Sequence, residues 1–65
     1  MRIQQLMAML AQPVYTIVLV NENGYEEDYE DWDMDDTVRD YLNGIRFESF
    51  DIYEQDGCRI LKVWM

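Results

Sequence analysis

The sequence predicts an α+β domain ordered helix, strand, strand, helix, strand, strand, with an antiparallel four-stranded sheet and two short helices. Three observations predict it. An apolar stripe at helical spacing opens the chain. Two turn dipeptides, Asn23-Gly24 and Asp56-Gly57, each join segments rich in β-branched and aromatic residues. A short capped helical stretch separates these two hairpins. With 65 residues the chain accommodates one domain, spanning 1–65, and no linker.

In the opening segment Ile3, Leu6, Met7 and Leu10 follow the i, i+3, i+4, i+7 spacing of one helical face. Pro13 ends that helix, because the residue before a proline is pushed out of the helical region, so the first helix is expected over roughly 2–11. Val14 to Val20 is continuously apolar apart from Thr16, the pattern of a strand covered on both faces or placed centrally. Asn23-Gly24 supplies the positive φ of a tight hairpin, and the chain is expected to return antiparallel over Tyr25 to Glu30.

Trp32 to Thr37 reads as a loop entering a second helix, with an Asp or Thr cap and a capping box at Thr37 and Asp40. Val38, Tyr41 and Leu42 form its apolar face, and Gly44 ends it as a left-handed C-cap. Ile45 to Tyr53 and Cys58 to Trp64 then pair about the Gln55-Asp56-Gly57 turn. Within the third strand the apolar set shifts parity between Phe47 and Phe50, which predicts a bulge near Ser49 or a strand apolar on both faces. Both helices are expected on one face of the sheet.

Charge is distributed unevenly. Fourteen Asp and Glu oppose five Lys and Arg, with no His, for a net charge of -9. Residues 22–40 hold ten of the acids and only one base, Arg39, while the rest of the chain balances four acids against four bases. Concentrating like charge destabilises a small domain through self-repulsion, so the pattern points to a local use. It also argues against direct binding to nucleic acid or to an anionic membrane, and for a basic partner.

Alternation along the second strand sends Glu26, Asp28 and Glu30 one way and Tyr25, Glu27, Tyr29 and Asp31 the other. An edge strand satisfies this pattern, with the tyrosines on the core and the acids on the rim, where charge also blocks stray sheet pairing. Asp33, Asp35 and Asp36 extend the negative surface toward the second helix. Such a ridge suits a groove that otherwise holds a phosphate backbone, where Arg and Lys form charge-assisted pairs with carboxylates. The candidate partner-binding set is therefore Glu26, Glu27, Asp28, Tyr29, Glu30, Asp31, Trp32, Asp33, Asp35 and Asp36, with Tyr25, Tyr29 and Trp32 as aromatic anchors. Aromatics dominate small cores, so packing against the sheet is favoured over partner contact for these three.

In size, acidity, and one acidic face on a compact α+β layout, the chain resembles the small phage-encoded inhibitors of bacterial immunity, the anti-CRISPR and anti-restriction DNA mimics. The resemblance spans the chain and rests on no diagnostic motif. It implies a stoichiometric inhibitor in the bacterial cytoplasm, monomeric or weakly dimeric. Such an inhibitor covers the basic DNA-binding surface of a host complex, with a CRISPR effector favoured.

Other readings weigh against this one. Charge runs are often plain solvated surface, and Asp35 and Asp36 are favoured at a helix N-terminus without any partner. A small interaction module docking or dimerising through Trp64, Met65, Phe50 or Met9 is the alternative, the acids then serving solubility only. Asp31-x-Asp33-x-Asp35 imitates the start of a calcium loop, but Asp36 and Leu42 stand where glycine and glutamate are required. No metal site, cofactor or catalytic group is expected. Ser49 has no His partner, and a flexible exposed carboxylate run does not supply the two contrasting environments of acid–base catalysis. The lone Cys58 excludes an intramolecular disulfide framework and reads as a small buried hydrophobe; Met7, Met9 and Met34 read as core filling. The single basic residue and short apolar stretch of Met1 to Ala11 argue against a signal peptide.

Overall fold

A computed structural model describes all residues, 1–65. The elements follow the expected order: α1 (Ile3–Met9), β1 (Thr16–Val20), β2 (Glu26–Glu30), α2 (Asp36–Asn43), β3 (Ser49–Gln55) and β4 (Cys58–Trp64). They form an α+β domain with one four-stranded sheet in the order β2-β1-β4-β3. The hairpins β1-β2 and β3-β4 are antiparallel, but β1 and β4 pair in parallel at the centre, so the sheet is mixed rather than antiparallel throughout. The physical reason lies in burial. The two most apolar strands meet at the middle, where both faces lose water, and the polar strands β2 and β3 take the edges.

All five residues of β1 are buried, as its continuous apolar run requires of a central strand. Ile17 and Leu19 of β1, with Leu61 and Val63 of β4, face Ile3 and Leu6 of α1 and Leu42 of α2. These buried side chains form the core, and the two helices lie over that one face. Phe47 and Val14 close its margins. No helix is long and apolar enough to cross a membrane.

The second turn obeys its sequence chemistry in full and the first in part, since Gly24 but not Asn23 takes positive φ. Gly24 has φ +84°, and the Asn21 carboxamide oxygen accepts from the backbone N–H of Asn23 and of Tyr25. Asp56 and Gly57 both have positive φ, 53° and 81°, the requirement of a two-residue turn that matches strand twist.

Five local expectations are corrected. The segment Ile45 to Glu48 precedes β3 as a loop, so the parity shift marks a strand boundary at Ser49 and not a bulge. The capping box at Thr37 and Asp40 does not form, because of the two expected cap types Asp serves: Asp35 Oδ1 accepts from the N–H groups of Thr37 and Val38 at 2.9 and 3.1 Å, which places Thr37 inside the helix. Gly44 ends α2 in the right-handed region (φ -85°), since its N–H still reaches back to the Tyr41 and Leu42 carbonyls. Met9 and Met34 are exposed, 68% and 76%, while Met7 packs on the core as expected. Cys58 is half-buried at the start of β4, at the rim of the sheet rather than within it.

Candidate functional site

The pairing register writes out the sheet face that carries no helix. Directly opposed residues share a face, so three rows cross all four strands: Glu30, Thr16, Ile60, Tyr53; then Asp28, Val18, Lys62, Asp51; then Glu26, Val20, Trp64, Ser49. Acids line the β2 edge of this face and apolar residues its middle. Thr16, Val18, Val20 and Ile60 are buried at 7%, 5%, 6% and 9% exposure although no helix covers them. Longer side chains of β2, β3 and β4 wall them in. Between the walls lies an open groove of about 420 Å³, with Glu26, Asp28 and Glu30 on one side and Tyr53 and Gln55 on the other.

One cation sits on this face. Lys62 reaches over β1 to place Nζ 3.2 Å from Glu26 Oε2 and 5.3 Å from the centroid of the Trp64 ring. Its aliphatic stem accounts for part of the shielding of the valines, as long basic side chains cover apolar surface while keeping the charge near water. Asp28 and Glu30 have no cationic partner.

The expected acidic strip divides three ways. Glu26, Asp28 and Glu30 stand together on the open face. Glu27 and Tyr29 lie on the other side of β2, where the Tyr29 hydroxyl donates to Glu27 Oε2 at 2.7 Å and its ring meets Tyr41 of α2 at 6.4 Å. That hydrogen bond, with burial, the Glu27 charge and Tyr41 adding to it, pushes the Tyr29 phenol up from 10.0 to about 12. Asp31, at φ 53°, then turns the chain out of the strand, its N–H donating to the Tyr15 carbonyl. Asp31, Asp33, Asp35 and Asp36 are all exposed beyond that turn. Asp33 borders a shallow depression with Pro13, Gly57 and Arg59, and Asp36 pairs with Arg39 at 3.1 Å. The Tyr15 phenol is raised, first by the Asp31 carboxylate, then by desolvation, Glu30 and Cys58.

The three aromatic anchors part company. Tyr29 leans on the core, as expected of an inward residue of an edge strand. Tyr25, expected on the core beside Tyr29, is instead 71% exposed, because it precedes β2 and lies in the turn, and it is free to meet a partner. Trp32 packs against the core and donates from Nε1 to the Val14 carbonyl at 2.9 Å, so it anchors the turn and is not a free contact residue. Sequence reasoning missed the contribution of β4 and β3 to the open face. The signal was present in Ile60, Lys62 and Trp64 at alternate positions, but without strand order they have no known neighbour.

The residues of the alternative apolar surface sit on different elements. Phe50 stacks edge-on against Phe47 at 5.7 Å, Trp64 lies beneath Lys62, and Met9 is on α1. The fold and this face together define a small α+β domain with an open, acid-rimmed sheet. Compared with known proteins, the chain matches no family model, no curated protein and no solved structure.

Proposed function

We propose that this protein is a phage-type, anti-CRISPR-like inhibitor in the bacterial cytoplasm. It acts stoichiometrically by presenting carboxylates to a basic surface that otherwise binds DNA in a host defence complex. One observation carries the reading. Of the ten acids in residues 22–40, only Glu26, Asp36 and Asp40 have a cationic partner within the chain, and Asp35 caps α2; setting aside Glu22 in the turn before β2, Glu27, Asp28, Glu30, Asp31 and Asp33 remain for an external partner. They lie on an edge strand and the turn after it, on a body 28 × 24 × 21 Å, so a partner's groove can approach them without displacing other parts of the chain. Alternate acids of β2 stand about 6.7 Å apart, sparser than the phosphates of duplex DNA, and the turn acids add charge beyond the strand.

The test is capture from a bacterial host, with the bound protein challenged by duplex DNA and by salt. The reading expects a DNA-binding protein, released by DNA and by raised ionic strength. It also expects no capture by a folded variant carrying Glu27→Gln, Asp28→Asn, Glu30→Gln and Asp31→Asn. Equal capture by that variant, or capture that persists in excess DNA, overturns it.

A further inference from the structure

We infer that the groove on the open sheet face is a seat for one arginine side chain from an extended, cation-rich segment of the partner, held between Glu30 and Asp28 on one wall and Tyr53 on the other. The inference rests on the preceding reading in taking the partner to be basic, and it names where that partner's contact is specific.

Two independent features lead to it. The first is shape with chemistry: the groove has a floor of Thr16, Val18 and Ile60, an acidic wall and an aromatic wall. A cationic side chain with an apolar stem matches all three surfaces at once, its stem on the floor and its charge against the carboxylates. The second is that the protein already fills half of this face in that way. Lys62 lays its stem across β1 and sets its ammonium against Glu26 and the Trp64 ring. The adjacent half repeats the layout, with an acid on β2, the buried Thr16 and Ile60 in the middle and an aromatic beyond, but without a cation of the chain's own. Asp28 and Glu30 stand there unpaired.

Arginine fits better than lysine. Its planar guanidinium pairs with carboxylates through two N–H groups and stacks on an aromatic ring, and being more weakly hydrated it loses less on entering a partly dry groove. Lys62 shows that a point charge is served by one carboxylate, whereas the vacant half offers two.

The experiment uses the isotope-labelled protein and a short capped peptide of alternating glycine and arginine, with its citrulline counterpart as neutral control. Amide shift changes are expected to centre on Thr16, Val18, Tyr53 and Ile60, and the citrulline peptide to produce none. Asp28→Asn with Glu30→Gln is expected to weaken binding by about tenfold or more, the loss of a charge-assisted pair. Gln55→Arg, at an exposed position on the groove wall, places the chain's own guanidinium in the seat and has the same effect. Glu22→Gln with Glu48→Gln removes equal charge elsewhere and leaves binding within about twofold. Equal losses in the two neutralised pairs, or shifts centred on Asp31 to Asp36, overturn the seat. A peptide that fails to seat while host capture remains DNA-sensitive refutes the groove alone; a seated peptide with no DNA-sensitive capture refutes the mimicry alone.

Discussion

Lys62 and Glu26 are joined across an intervening strand: Nζ on β4 lies 3.2 Å from Oε2 on β2, with β1 running between them. The lysine must therefore lie over the valines of β1, so its stem and its charge do separate jobs. The pair is partly solvated, with side-chain exposures of 24% and 51%, and such pairs contribute only about 0.2 to 1 kcal/mol. Lys62→Met keeps an apolar stem over Val18 and Val20 and is expected to change stability by less than about 1 kcal/mol. Lys62→Ala also uncovers the valines and is expected to destabilise the domain further. Urea denaturation of the two variants checks this, and equal losses would mean that the charge alone matters.

Trp32 belongs to the fold more than to any interface. Its Nε1–H is the donor to the Val14 carbonyl, and Val14 is buried at the margin of the core. Trp32→Phe retains an aromatic ring but orphans that carbonyl, at an expected loss of about 1 to 3 kcal/mol in thermal or chemical denaturation. A variant as stable as the parent would return Trp32 to the list of free contact residues.

What was legible in the sequence divides along a physical line. Local chemistry was readable: the positions of the Asn23-Gly24 and Asp56-Gly57 turns, the central place of β1 from its nearly continuous apolar run, and β4 to its end residues. Pairing between distant segments was not. A parallel β1-β4 contact joins residues more than forty positions apart, such as Thr16 and Ile60, and no local pattern reports it. The candidate site suffered in the same way. Alternation in β2 correctly separated Glu26, Asp28 and Glu30 from Glu27 and Tyr29, yet Lys62 and Tyr53 join the acids only through strand order. Trp32 stood both as a partner anchor and, with more weight, as an aromatic packed on the sheet; its hydrogen bond to the Val14 carbonyl, which no local pattern reports, settles it as packing.

The cap of α2 separates a structural acid from the others. Asp35 Oδ1 accepts two backbone N–H groups that otherwise lack partners at the helix start. Asp35→Ala is expected to cost about 0.5 to 2 kcal/mol, while Thr37→Ala, inside the helix and exposed, stays within about 0.5 kcal/mol. Neutralising Asp35 therefore confounds any binding experiment with unfolding, which is why the variants above leave it in place. Denaturation curves of the two substitutions check the order, and a larger loss for Thr37→Ala would reinstate the alternative cap.

Tyr29 makes the stability of the domain depend on alkaline pH. Its phenol, held protonated by its hydrogen bond to Glu27, ionises near 12 in the folded chain against 10.0 ordinarily. Below pH 10 both states keep the proton and this contribution is fully present. Between 10 and about 12 the unfolded chain releases its proton while the folded chain retains it, so stability falls as pH rises through that window. Tyr15 is raised as well, by Asp31 first, and acts in the same direction. Tyr29→Phe removes one ionisation from both states and is expected to flatten the alkaline slope without abolishing it, because Tyr15 remains. Glu27→Gln is expected to lower the Tyr29 ionisation toward its ordinary value, visible as earlier phenolate absorbance. An alkaline slope unchanged in Tyr29→Phe would show that the Tyr29–Glu27 hydrogen bond does not persist in solution.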